Sequence, residues 1–172
     1  MEPDFRSFIL ANARRESVPL AGDIKLHLVG DLTPVWQTTQ TEFDQLLLPP
    51  PFWALAWLGG RALARYVLDN PNMVHAKRVL DLAAGSGIAA IAAAQADADR
   101  VSTSDIDEIA AAAITLNAEL NGVEIAVSSD NLIGSDDGWE IILAGDICYE
   151  KPLAEDAIDW LRTLAGRGAI VL

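Results

Sequence analysis

Apolar residues recur three and four apart at the start of the chain: Phe5, Phe8, Ile9 and Ala13 share one face if residues 4 to about 15 coil into a helix. Ile24, Leu26 and Leu28 then alternate with Lys25 and His27, the period of a half-buried strand. Gly30-Asp31 reads as a turn, and residues 33–38 as the returning strand of a hairpin. Pro49-Pro50-Pro51 forms a stiff entry to the next segment. Residues 52–69 then read as one helix, burying Leu55, Leu58, Ala62, Leu63 and Tyr66 or Val67, and stopped by Asn70-Pro71. Beyond it the pattern alternates regularly. Strands are expected at 78–82, 100–104, 124–128 and 140–144. Helices are expected at 88–96 and 108–121, the second capped by Asp107 and ended by Gly122. Another helix carries Pro152 in its first turn, and a short apolar strand closes the chain at 169–172. Such alternation predicts an α/β fold, a doubly wound parallel sheet with right-handed crossovers and ligands outside the carboxyl ends of its strands.

Composition agrees with one folded unit: 172 residues, 51% of them hydrophobic, suffice for a real core. Twelve Lys and Arg against twenty-five Asp and Glu leave a formal charge of −13, which disfavours broad adhesion to nucleic acid or anionic membrane and either favours a basic partner or merely keeps an Ala-rich protein soluble. The single cysteine, Cys148, cannot form an internal disulfide, and its acidic neighbours raise rather than lower a thiol pKa, so a nucleophilic role is not expected. His27 and His75 lie too far apart in sequence for a zinc site, so no metal is expected. No secretory signal or membrane-spanning run is visible, and a cytoplasmic location is the expectation.

Chemistry concentrates where the strands end. Val79-Leu80-Asp81-Leu82-Ala83-Ala84-Gly85-Ser86-Gly87 delivers an acid, a small-residue loop and a helix start. The loop backbone can approach a ligand closely, and the helix start offers N–H donors, although a tight strand–helix turn would need the same residues. Asp81 would repel a pyrophosphate but suits a cationic amino group, which turns the reading from a dinucleotide towards S-adenosyl-L-methionine. Asp105, closing the next strand about 20 residues past the glycine loop, is placed to accept both hydroxyls of a ribose, whereas Asp107 is better explained as a helix cap. Asp130 and Asn131 after the third strand of this run could read an adenine amine or simply shape a turn. Gly145-Asp146-Ile147-Cys148-Tyr149-Glu150 gathers two carboxylates and a phenol where a reacting group would meet its substrate. Trp53 and Trp57, four apart, would share one helical face, and Gly59-Gly60 inside that helix signals close approach by a ligand or another backbone.

The order of PPPFWALAWLGGRALARYVLDNP, VLDLAAGSGIAAIAAA, SDIDEIAAAAITLNAELNGV and LAGDICYEKPLAEDAIDWL resembles the electron-transfer-flavoprotein β-subunit lysine methyltransferases, which are related to the ribosomal-protein lysine methyltransferases. The resemblance runs from about residue 48 to 172. It implies a Rossmann-like, S-adenosylmethionine-dependent methyltransferase core over 48–172, preceded by a helix and hairpin extension over 1–47. It implies cofactor contacts at Asp81, Ala83, Gly85, Gly87, Asp105, Asp130 and Asn131, with Trp57 and Gly60 closing over the methionine end. Asp146, Tyr149 and Glu150 would serve catalysis beside the methyl group, and the partner would be a lysine-bearing protein, the electron transfer flavoprotein β subunit. Ala83 stands where many methyltransferases have glycine. Such enzymes continue past the fifth strand of the core into a helix and an antiparallel strand pair, whereas the sequence ends at Leu172. An uncovered sheet edge and a missing wall of the substrate cleft are therefore expected. The alternatives are a methyltransferase of the same fold acting on a ribosomal protein or small molecule, and a non-catalytic cofactor-binding or interaction domain.

Overall fold

A computed structural model describes residues 4–42, 50–149 and 151–172. Five parallel strands form the main sheet: β3 (Arg78–Leu82), β4 (Arg100–Ser104), β5 (Ala126–Ser128), β6 (Ile141–Leu143) and β7 (Ile170–Val171), in the order β5-β4-β3-β6-β7. The chain winds outward from β3 through β4 to β5, then returns to the other side of β3 for β6 and β7. The doubly wound expectation therefore holds, with its switch point between β3 and β6.

Alternation along the strands divides the core in two. Val79, Ile141 and Leu143 pack beneath α3 (Leu58–Asp69) and α4 (Ile88–Gln95), whereas Leu80, Leu82 and Ile142 pack with Trp139 and with Trp160 and Leu164 of α6 (Lys151–Gly166). Ile88 to Ala93 are all buried, so α4 is apolar around its whole circumference and must be sandwiched; its alanines let α3 and the sheet approach from either side. α5 (Glu108–Asn121) starts where the Asp107 carboxylate accepts the Ile109 N–H at 2.9 Å and ends at Gly122 with φ 66°, as its cap and stop residues require.

The amino-terminal part departs from expectation. The first helix, α1 (Phe5–Asn12), is shorter than predicted, and β1 (Arg14–Ser17) follows it and pairs antiparallel with β2 (Lys25–Leu28). All four residues of β1 are exposed, so it carries no hydrophobic alternation to read. The predicted strand at 33–38 is instead part of α2 (Leu32–Glu42). Asp31 accepts the Thr33 N–H at 2.9 Å as a helix cap would, and the hydroxyls of Thr38, Thr39 and Thr41 bond carbonyls four residues back. Leu26 and Leu28 of β2 join the same buried cluster as Val79 and Ala64, so the hairpin shares the core of the main sheet.

Residues 52–69 are not one helix. A single 3-10 turn (Phe52–Ala54) is followed by extended backbone at Leu55 and Trp57, and only then does α3 begin. The break rotates the buried face to Ala64 and Val67, leaving Leu58 and Tyr66 exposed. It also separates the two tryptophans: Trp53 is fully buried, while Trp57 lies outside the turn with its ring 5.9 Å from that of Phe52.

Candidate active site

Register gathers the acids. Leu82 lies level with Ser104, so the glycine loop and Asp105 leave neighbouring strands side by side; Asp81 lies level with Leu143, three residues before Asp146.

The loop backbone is bent as its residues permit. Ala83, Gly85 and Gly87 have φ of 52°, 53° and 75°, so Ala83 occupies a left-handed conformation that glycine takes without strain. A Cβ on Gly87 would stand 3.0 Å from Ile114 of α5, which fixes glycine at the helix entry. Three further bonds hold the loop. The Gly85 N–H donates to Asp105 Oδ2 at 2.8 Å, the Ala84 N–H to the Ser104 carbonyl at 3.3 Å, and Asn117 Nδ2 to the Ser86 carbonyl at 2.9 Å.

Asp81 points from β3 towards α4, where Oδ2 accepts the Ala90 N–H at 2.9 Å and caps the helix from a distance. Burial pushes its carboxyl up to about 7, the Ala90 bond opposes this, and the nearby Asp105 charge adds to it. Burial likewise raises Asp105, against its bonds from the Asp107 and Gly85 N–H groups, and brings Asp107 up to about 6. Crowded acids of this kind favour a cationic ligand and disfavour an anionic one. A folded-state pKa above the unfolded value means that the native protein holds those protons more tightly. Stability therefore falls as pH rises from about 4 through about 7. Asp4, Glu119 and Asp136, held below the usual range chiefly by hydrogen bonds from Ser7, Arg6 and Arg167, lose their contribution only at or below about pH 4. Thermal unfolding followed by circular dichroism is accordingly expected to give a higher midpoint near pH 5 than near pH 8; a midpoint that climbs steadily towards pH 8 would contradict the burial of Asp81 and Asp107.

Asp146 does something the sequence did not disclose. Its two carboxylate oxygens accept the N–H groups of Gly59 (3.0 Å) and Gly60 (2.9 Å), the second and third residues of α3. A Cβ on Gly59 would lie 2.7 Å from the Gly145 carbonyl carbon, and one on Gly145 would lie 2.8 Å from the Gly60 nitrogen. The close approach expected at Gly59-Gly60 is thus another backbone, at the first turn of α3 and not in a helix interior. Both Asp146 oxygens are engaged in holding that turn, a role that the sequence analysis did not include beside the catalytic one. Trp57 is held beside it by a bond from its Nε1 to the Phe52 carbonyl at 2.7 Å.

The remaining candidates are less converged. Asp130 accepts from the Ser128 hydroxyl, its carbonyl accepts from Ser104 Oγ at 2.7 Å, and Asn131 Oδ1 accepts the Ile133 N–H; both side chains are exposed and shape a turn. Tyr149 closes a short 3-10 turn (Ile147–Tyr149), and Glu150 lies outside the described residues. A groove of about 810 Å³ lined by Asp99, Arg100, Glu119 and Gly122 opens at the opposite, amino end of the strands and contains none of the candidate residues. Among the described residues no group of acids, histidines and cysteine is arranged to hold a metal, and no helix is long and apolar enough to cross a membrane. Sequence reasoning missed Asn117 and Ser86. The available signal was a pair of amides, Asn117 and Asn121, four apart on one helix.

The sequence profile of the family described as ribosomal protein L11 methyltransferase (PrmA) matches residues 62–149. The electron transfer flavoprotein beta subunit lysine methyltransferase of Danio rerio is 42% identical over 165 residues, covering 94% of this chain and 63% of its own length. The same-named protein of Xenopus laevis is 42% identical over 170 residues, covering 97% of this chain and 68% of its own. The crystal structure of the ribosomal protein L11 methylase of Lactobacillus delbrueckii subsp. bulgaricus matches with TM-score 0.51 at 31% identity, over 63% of this chain and 55% of that one. The chain spans roughly two thirds of the length of these curated relatives, 63% and 68%. It belongs to the electron transfer flavoprotein beta subunit lysine methyltransferase family.

Proposed function

We propose that this chain carries the S-adenosylmethionine-binding core of a protein-lysine N-methyltransferase whose substrate is the electron transfer flavoprotein β subunit. The observation that carries the reading is the half-buried Asp105 carboxylate. It stands at the end of β4 and is joined by a 2.8 Å bond to the amide of a glycine loop whose other flank is the buried acid Asp81.

The residues present fit the cofactor. Asp105 can accept the two hydroxyls of a ribose, and the left-handed loop from Ala83 to Gly87 keeps side-chain bulk away from the ligand. Asp81 and Asp105 together favour a ligand bearing positive charge. Ile106, 70% exposed directly after Asp105, offers an apolar surface to a flat base. Bound there, S-adenosylmethionine would offer a methyl group on a cationic sulfur for in-line displacement by a neutral lysine amine, leaving a neutral thioether and a methylated ammonium. Lysine begins near pKa 10.4, so the amine must shed its proton first, and the apolar ring pair of Phe52 and Trp57 promotes this by desolvation. Asp146 fixes the start of α3, which carries Trp57 at its cap position, and so sets the wall past which the amine must come.

The substrate reading is supported by the names of the relatives and by a body of formal charge −13, which suits a basic protein surface better than a polyanion. The exposed thiol of Cys148 suits a reducing, cytoplasm-like compartment. Purified electron transfer flavoprotein incubated with this protein and S-adenosylmethionine is expected to gain mass in methyl-sized steps on lysines of its β subunit, read by peptide mass spectrometry. An unchanged β subunit beside a methylated ribosomal protein would redirect the reading to the alternative substrate.

A further inference from the structure

β2 has β1 on one side, and on the other it meets no strand among the described residues. Two asparagines of α5 take the place of one. Asn121 accepts the Lys25 N–H at 3.0 Å and donates to the Lys25 carbonyl at 2.6 Å; Asn117 accepts the His27 N–H at 2.7 Å. Side-chain amides spaced four apart on a helix thus reproduce the donors and acceptors of a missing strand.

Asn117 differs from its neighbour in what its other end does. It is fully buried, and its Nδ2 donates to the Ser86 carbonyl, in the middle of the glycine loop. The two bonds fix its orientation. A flipped amide would set a donor against the His27 N–H and an acceptor against the Ser86 carbonyl. His27 Nδ1 lies 3.0 Å from the same Oδ1, so the imidazole carries its proton on Nδ1 and presents a second donor to it. His27 is only 3% exposed, and its Nε2 has no partner among the described residues. A buried polar chain therefore runs from the hairpin through Asn117 into the loop.

We propose that Asn117 is a positioning residue for the cofactor: it holds the glycine loop through the Ser86 carbonyl and couples that loop to the amino-terminal hairpin through His27. The inference rests on the reading of that loop as the S-adenosylmethionine site. With the amide gone, the Ser86 carbonyl is buried without its donor, and the loop is left with its bonds to Asp105 and Ser104 and the internal bond from the Gly87 N–H to the Ala84 carbonyl. Cofactor binding must then order a segment that the folded protein now holds ready.

Asn117→Asp separates the two ends of the amide, keeping an acceptor for His27 and losing the donor to Ser86. Asn121→Ala is the structural control, because it removes the other hairpin clamp and touches nothing in the loop. Two readouts are needed: amide hydrogen exchange over residues 83–90 in the ligand-free protein, and calorimetric affinity for S-adenosylhomocysteine. In N117D, exchange is expected to quicken and affinity to weaken, each by about tenfold or more, whereas N121A stays within about twofold of wild type in both. Should N117D not fold, Asn117→Ser carries the same readouts. Wild-type exchange and affinity in the Asn117 variant, or an equal loss in N121A, overturn the proposal. A wild-type protein that does not bind S-adenosylhomocysteine overturns the methyltransferase reading instead, and exchange over 83–90 then decides whether Asn117 holds the loop.

Discussion

Asp146→Ala is expected to lower methyl transfer by at least about a hundredfold and, in the same protein, to weaken cofactor binding and reduce the melting temperature. A carboxylate serving only the amine would leave the last two untouched. Here it accepts the Gly59 and Gly60 N–H groups at 3.0 and 2.9 Å, the donors that the first turn of α3 cannot satisfy internally. Hydrogen bonds to a charged group are worth about 1.5–3 kcal/mol each. Both lie at an exposed edge, however, where water can replace part of the loss. Loss of a helix cap, about 1 kcal/mol, is therefore the better guide to stability, equivalent to a drop of about 2–4 °C for a chain of this size. Activity suffers more, because the freed turn carries Trp57 and because displacement tolerates little misplacement of nucleophile and carbon. Asp146→Asn keeps one acceptor and should fall between wild type and the alanine variant. Scanning calorimetry together with a titration of S-adenosylhomocysteine checks this. Unchanged stability and affinity in D146A would instead leave Asp146 a purely substrate-facing role.

Asp105→Ala should give the opposite division of effects, with affinity collapsing while stability hardly moves. Two charged hydrogen bonds to a ribose at about 1.5–3 kcal/mol each predict a loss of at least two orders of magnitude in affinity for S-adenosylhomocysteine. Folding loses two acceptors, those for the Gly85 and Asp107 N–H groups. It also sheds a carboxylate that burial already disfavours and that adds its repulsion to Asp81. These contributions oppose one another, so the melting temperature is expected to change little or to rise slightly. Calorimetric titration of the variant measures the first effect and thermal unfolding the second. Affinity within threefold of wild type (about 0.6 kcal/mol) would remove Asp105 from the ribose.

The two variants also mark how far the sequence could be read. The bounds of β3, β4 and α5 were legible because each announces its own ends: an arginine at the start of each strand with a small-residue loop or Asp105 after it, or an Asp107 cap and a Gly122 stop. The placement of the glycine loop and Asp105 was legible for a related reason, since small residues and an acid fall where the strands β3 and β4 end. β1 was not, because a strand exposed at all four positions has no alternation. α2 was not, because its threonines favour strands until their hydroxyls turn back onto carbonyls of the preceding turn, a choice made by tertiary packing. The break before α3 escaped notice for a third reason. Leu55 to Trp57 have helical spacing in sequence, and only the pressure of Gly145 against Gly59 shows where the helix must start. The bonds that Asp146 and Asn117 make were missed because their partners are backbone groups far along the chain, 87 and 86 residues away for Asp146 and 90 and 31 for Asn117, which spacing alone cannot reveal.

A crystal structure of this protein grown with S-adenosylhomocysteine tests the central claim most directly. The account predicts both ribose hydroxyls on the Asp105 carboxylate, the methionine end enclosed by the loop from Ala83 to Gly87, and the sulfur turned towards Trp57. A nucleoside bound anywhere else, or Asp105 still engaged only with its own backbone while the ligand is present, would contradict it.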